Sequence, residues 1–404
     1  MVSRVPVLMG GGSVEYLFDA EFGKDAAAPI GSPFVCDAGS ATVTDTGNRL
    51  SVAGGSLVVA SGAGAWGEPR FVGPAFPRAA ATVAVARVVP TSGIEHVGWV
   101  SADTATGVGT AGFHVNGATD LRTVNGSLGS STILIGAGLS AGTAYNLAVV
   151  QRATGAWYLV RGGIYAAWTL VYVRDDACLT GGTALPAVHN YSGAFSVDCL
   201  SVPLDLWAPA AAANDGFGGT RTGLGTTDGL GASDVPGGAG VAWGTPVTAT
   251  FGVSGGLAVT TVLPSTPGIA PIDAGTPDVF LQVNTTRAGG AVGVVVRFSD
   301  ASNYTRVASD GANMTVVQRI AGVDQAAVLT QACGATGQLR VAVYGTKIRV
   351  WFANAALGGE TTIAAQTGTQ VGLYTTSIAN TWDALSVYPR GTEGQHESLG
   401  RYLA

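Results

Sequence analysis

The 404-residue chain carries 20 Lys or Arg against 26 Asp or Glu, for a net charge of −6, and its only lysines are Lys24 and Lys347. That balance excludes the basic footprint of a nucleic-acid binder. No run of about 18 apolar residues occurs, so no helix is expected to span a membrane. Charged side chains make up 11% of the chain where an average globular protein has about 25%, and 61 residues are glycine. The surface is therefore expected to be polar but weakly charged, built mostly from Ser, Thr, Gly, Ala and Asn.

In chain order, residues 1–13 join the apolar stretch Val5-Pro6-Val7-Leu8-Met9 to Gly10-Gly11-Gly12. The stretch is too short and too broken by proline for a signal peptide, and reads as an arm laid on a neighbouring subunit, with a disordered terminus as the alternative. Beyond it, short segments alternate in polarity, are rich in Val, Thr, Tyr and Trp, and are separated by Gly, Asp, Asn and Pro clusters. Strands are expected at Thr82 to Val89, His96 to Val100, Tyr145 to Gln151, Ala156 to Arg161 and Trp168 to Val173. Others are expected at Gly293 to Phe298, Met314 to Arg319, Gln338 to Tyr344 and Lys347 to Phe352, with a tight hairpin at Tyr344-Gly345-Thr346-Lys347. Helical spacing never lasts beyond a turn or two, because Gly and β-branched residues interrupt it. The fold class is all-β, with two face-to-face antiparallel sheets per domain in a jelly-roll arrangement.

The chain also repeats itself. Val197-Asp198-Cys199-Leu200-Ser201-Val202-Pro203 returns as Trp382-Asp383-Ala384-Leu385-Ser386-Val387-Tyr388-Pro389. Upstream of each, Ala187-Val188-His189-Asn190-Tyr191 matches Gln370-Val371-Gly372-Leu373-Tyr374, as a strand paired with the closing one would. Val52 to Val59 parallels Val253 to Val259, Val83 to Arg87 parallels Val279 to Val283, and Glu21-Phe22-Gly23 parallels Gly216-Phe217-Gly218. A tandem duplication follows: domain 14–207, linker 208–213, domain 214–391, and a charged tail 392–404 that reads as a frayed end or, alternatively, as a segment docked on a partner.

No cofactor or metal is expected. Cys36, Cys178, Cys199 and Cys333 lack metal-ligand spacing, and Cys199 reads as a small buried residue, with a Cys178–Cys199 disulfide as the alternative. His114 and His189 have no mutual spacing that predicts a ligand pair and read as packed histidines. Glu95-His96 beside Trp99 suggests a sugar site without a partner acid for catalysis. Asp175-Asp176 reads as turn punctuation before it reads as a calcium site. The repeated Asp198 and Asp383 are expected to be structural, accepting backbone hydrogen bonds in the preceding turn. Trp157, Tyr158, Trp168, Tyr172, Trp351 and Phe352 lie in strands whose alternate side chains face outward; they read as core packing first and as a sugar-stacking platform second. If a ligand is stacked there, the platform is assigned to Tyr158, Trp168 and Trp351.

The order of these elements runs from an Asp/Glu-x-Phe opening and a Gly-Gly-x-Leu strand, through long alternating strands, to Val-Gly-Leu-Tyr and Trp-Asp-Ala-Leu-Ser-Val. It resembles concanavalin A-like jelly rolls of the laminin-G type, the second copy more closely than the first. The resemblance implies a closing Asp-x-Leu-x-Val strand that pairs beside the opening one, and a role in glycan binding or as a spacer. Tandem Ala-, Gly- and Thr-rich domains of this kind are similar to those of minor tail, fibre and decoration proteins of tailed bacteriophages. The implied function is a non-enzymatic structural protein of a tailed-phage virion, associated with the tail or tail tip. It would be assembled in the host cytoplasm as a homo-oligomer with other virion proteins and contact the host surface. The alternatives are a glycan-binding adhesion module and a capsid decoration protein; a polysaccharide hydrolase or lyase ranks last.

Overall fold

The computed structural model describes residues 16–22, 30–203, 213–227 and 241–389, apart from short segments at 65, 67, 80–81, 105–108, 118–119, 127, 129–130, 137–138, 153–154 and 175–177. The expected N-terminal arm, the tail, Asp175-Asp176 and most of the linker lie outside the described residues. Two compact units divide the chain, the first reaching Ala208 and the second running from Pro209 to Gly391. Each consists of two antiparallel sheets, and the described residues contain strands and no helix.

The two units share one strand order. In the first sheet of the first unit, the strands run Leu50–Ala53, Ser56–Val59, Phe195–Pro203, Val83–Pro90, Tyr145–Gln151, Ala156–Gly162 and Tyr165–Arg174. Its counterpart in the second unit runs Thr250–Ser254, Leu257–Val262, Thr381–Pro389, Val279–Thr286, Thr336–Tyr344, Lys347–Phe352 and Ala355–Ala356. The other sheet of the first unit holds Arg70–Val72, Thr183–Ser192, Ile94–Val100, Thr110–Asn116, Asp120–Asn125 and Ser131–Gly136 in that order, continuing beyond Arg70–Val72 to Ser40–Thr44 and Phe34–Val35. The second unit repeats the order with Gly268–Asp273, Gln370–Thr375, Val292–Asp300, Asn303–Ser309, Asn313–Ile320 and Val323–Asp324. The closing strand lies beside the opening one in both: Tyr16–Ala20 pairs with Phe195–Pro203, and Ala213–Asp215 with Thr381–Pro389.

Local chemistry explains the shared features. Gly54 and Gly55 have φ of 61° and 81°, and Gly255 and Gly256 have 60° and 80°, so both Gly-Gly pairs form two-residue hairpin turns that need left-handed backbone at each central position. Phe22 and Phe217 each adopt positive φ, 50° and 52°, just after the opening strands. The repeated Asp-x-Leu-Ser-Val marks a β-bulge. Val197 pairs with Val88 and Cys199 with Arg87, which leaves Asp198 as an extra residue. In the second unit Asp383 pairs with Asn284 and Ser386 with Gln282, with Ala384 at φ 51° inside the bulge.

One expected pairing is corrected. Thr183–Ser192 and Gln370–Thr375 do not pair with the closing strands but lie in the opposite sheets, against Ile94–Val100 and Val292–Asp300. The connection crosses between layers, so proximity in sequence does not mean adjacency in one sheet.

Each core lies between its two sheets, and a tryptophan N–H crosses it. Trp99 Nε1 donates to the Val149 carbonyl at 2.9 Å, and Trp382 Nε1 donates to the Gly293 carbonyl at 3.0 Å. Both indoles are essentially fully buried, so the bond satisfies a donor that would otherwise cost about 1–3 kcal/mol. Phe113 packs edge-on against Tyr158 at 5.4 Å in the first core. In the second, Val294, Leu339, Val341, Leu373, Leu385 and their neighbours form one apolar cluster drawn from both sheets. The four cysteines are free. Cys199 is partly exposed rather than buried, because it sits in the bulge; desolvation of its thiol pushes the pKa up to about 12.

Candidate functional site

Alternation along Ile94–Val100 sends Val97 and Trp99 into the core and His96 to the outer face of its sheet. Residues directly paired across antiparallel strands share a face. The register therefore sets out a polar row across five strands: Arg122 opposite His114, His114 opposite His96, His96 opposite His189, and His189 opposite Arg70. The His96 ring lies edge-to-face between its neighbours, with centroids 6.0 Å from His114 and 5.9 Å from His189. Gly112 makes room for it, since a Cβ there would lie 2.0 Å from His96 Cε1 and 2.7 Å from the Val97 carbonyl oxygen.

A loop segment carrying Trp66 covers the row. The Trp66 ring stacks on His114 at 4.5 Å and 21°, and its carbonyl oxygen lies 3.4 Å from His189 Nδ1. Tyr191 stands 5.2 Å from Trp66 and is 36% exposed, while Trp66 is itself partly exposed. The Gly64 amide ties the segment to the sheet by donating to the Tyr191 carbonyl at 2.8 Å. An ion pair stands at either end of the row. Arg70 Nε meets Asp103 at 2.5 Å, and Arg122 grips Asp120 through Nε at 2.7 Å and a second nitrogen at 2.9 Å.

The histidines beneath are buried. Burial holds His96 well below the usual imidazole range, pushes His114 down to about 3 with help from the Arg122 charge, and lowers His189 to about 4. Both ring nitrogens of His96 and the Nε2 atoms of His114 and His189 are buried without a hydrogen-bond partner. Glu95, next to His96 in sequence, points the other way into the core and is fully buried, which raises its pKa well above the ordinary value. Asp103 and Asp120 are each engaged by an arginine. Among the described residues no group of three or more His, Cys, Asp or Glu side chains is placed to hold a metal ion.

Tyr158, Trp168 and Trp351, assigned to a stacking platform only if a ligand is stacked there, are 0%, 3% and 1% exposed, covered as the core-packing reading has them. Tyr158 faces the core, where its hydroxyl donates to the Val124 carbonyl at 3.4 Å. Trp351 and Phe352 do point to opposite faces, but both are covered, Phe352 in the core and Trp351 beside Phe280 and beneath Arg349. Asp198 lies within its strand, accepts from Ser56 Oγ at 2.7 Å and pairs with Arg87 at 3.1 Å, so it joins neighbouring strands instead of capping a turn. Asp383 makes no turn-capping bond among the described residues. The sequence reading passed over Trp66 and Tyr191. A lone tryptophan in the Gly-rich loop Gly62-Ala63-Gly64-Ala65-Trp66-Gly67 was the available signal, because such a loop has no core face to bury it.

No protein-family model matches the chain, and no curated protein matches it. Among solved structures, the carbohydrate-binding module CBM66 from Bacillus subtilis is similar at 16% identity and a TM-score of 0.28, over 37% of this chain and 92% of that one. Domains LG4-5 of the mouse laminin α1 chain are similar at 10% identity and a TM-score of 0.20, over 89% and 92%. The GH43 protein BlXynB from Bacillus licheniformis is similar at 11% identity and a TM-score of 0.28, over 69% and 72%. Each score lies below 0.5, and the functional conclusion rests on the side chains of the outer face.

Proposed function

We propose that the chain is a non-enzymatic glycan-binding module, and that its ligand face is the Trp66–Tyr191 surface of the first unit. The observation that carries this reading is a pair of partly exposed aromatic rings on a sheet face, with an ion pair at each end of the polar row beneath. Sugars present apolar C–H faces and a rim of hydroxyls. Tilted rings take the first, and fixed Arg and Asp side chains exchange hydrogen bonds with the second. Each arginine is already balanced by a carboxylate, which favours uncharged sugars over acidic ones. A glycan array followed by titration calorimetry tests the assignment. Trp66→Ala is expected to weaken binding about tenfold, or roughly 1.4 kcal/mol, while Tyr191→Phe keeps most of the affinity. An unaltered affinity in Trp66→Ala would remove the site from this face.

A place in a tailed-phage virion is a second reading, resting on the resemblance and on the charge-poor composition, since surfaces with 11% charged residues associate readily. Quantitative mass spectrometry of gradient-purified particles is expected to find the chain at a fixed ratio to the tail-tube protein. Its absence from particles would sink that placement and leave the glycan module standing alone.

A further inference from the structure

We propose that the Trp66 segment is an acid-released cover, closed over the His114–His96–His189 row at neutral pH and displaced when those imidazoles take up protons. The inference rests on reading this face as the ligand site, and adds its regulation: glycan held at neutral pH, released on acidification.

The geometry has the parts such a device needs. Trp66 is fixed to two of the three histidines, by stacking on His114 and through its carbonyl against His189. The third, His96, touches both of these and is fully buried. A proton on His96 would sit between two other imidazoles, and one on His114 or His189 between His96 and the Arg122 or Arg70 guanidinium that ends the row. The carboxylates on this face are Asp120 and Asp103, each committed to its arginine, and Glu68 of the covering segment, which accepts from Thr46. Tyr191 adds no charge, and Glu95 faces the opposite side of the sheet. Among the described residues no carboxylate makes an ion pair with a histidine of the row while the cover is closed. With the segment displaced, water reaches the rings and each regains an ordinary affinity for protons; burial and the neighbouring charges hold that affinity down in the closed form. A state that binds more protons gains population as pH falls. Below about pH 6.5, each imidazole freed multiplies the open-to-closed ratio about tenfold per pH unit.

Hydrogen exchange on the full chain without ligand, corrected for the intrinsic pH dependence of amide exchange, reads this directly. Peptides spanning 60–70 are expected to lose protection steeply between about pH 6.5 and about pH 5, roughly a hundredfold per unit if His114 and His189 are both freed, while Tyr145–Gln151 stays protected. His114→Phe keeps a ring beneath Trp66 but cannot titrate, and is expected to reduce the slope to about tenfold per unit. His189→Asn, a smaller and more soluble change, provides the same test at the other contact. Constant protection of 60–70 across the range would overturn the proposal. Loss of protection in 60–70 and 145–151 together, or an unchanged slope in both variants, would do the same. Because no glycan is present, failure here leaves the binding assignment intact, and an empty glycan array leaves the cover intact.

Discussion

Glu95→Leu is expected to stabilise the first unit by about 2 kcal/mol at pH 7, an unusual direction for a core substitution. The Glu95 carboxyl is fully buried between the sheets, and neither of its oxygens has a hydrogen-bond partner. Desolvation raises its pKa well above 4.5, so the folded chain holds this proton to a higher pH than the unfolded chain does. The sign follows. An acid raised on folding leaves stability intact below its unfolded value and removes it as pH climbs, by about 1.4 kcal/mol per unit until the folded group also ionises. The advantage of leucine should therefore be small near pH 4.5 and grow towards neutrality. Urea unfolding of both proteins at several pH values measures it, and a pH-independent difference would mean that Glu95 is ionised in the fold.

Acid should separate the two units. His189 falls from 6.5 to about 4 on folding and His114 to about 3, with His96 also strongly depressed, whereas residues 209–391 contain no histidine. A base depressed on folding leaves stability whole above its unfolded value of 6.5. Stability is then lost as pH falls, at about 1.4 kcal/mol per unit for each group, until the folded imidazole itself takes the proton. Over their full windows His189 and His114 would cost about 3 and about 5 kcal/mol. Glu95 opposes them as pH falls towards 4.5, and Asp19, which burial raises to about 6, opposes them between about 6 and 3.8. The net loss is therefore smaller than the histidine sum but keeps its sign. Calorimetry of the full chain between pH 7 and pH 5 is expected to show one transition moving down while the other holds. Two transitions that fall in parallel would mean that the histidine row is already hydrated in the fold.

What could be read from the sequence was what repeats locally. Alternation located Tyr145–Gln151 and Lys347–Phe352 to the residue, because a strand with one face in the core records that face in its own period. The Gly-Gly hairpins and the Asp-x-Leu-Ser-Val bulges were legible as echoes, since each is set by a few adjacent residues. The candidate site was not. His96 and His114 are 18 positions apart and His114 and His189 are 75 apart, and only strand order and register bring them into one row. Burial of Trp351 escaped for a related reason: alternation gives the face, but the cover over that face comes from elsewhere in the chain.

The crossing tryptophans distinguish the two units. Trp99 sends its N–H from the histidine-bearing sheet to the other, whereas Trp382 sends its own in the opposite direction, from the closing strand. Val197 stands where Trp382 does, and Val292–Asp300, the counterpart of the Trp99 strand, has no tryptophan. The two units share strand order, but not the tie between layers. Exchanging sheets between the copies would thus preserve the topology on paper and yield one hybrid with two indoles in one interior and another with none.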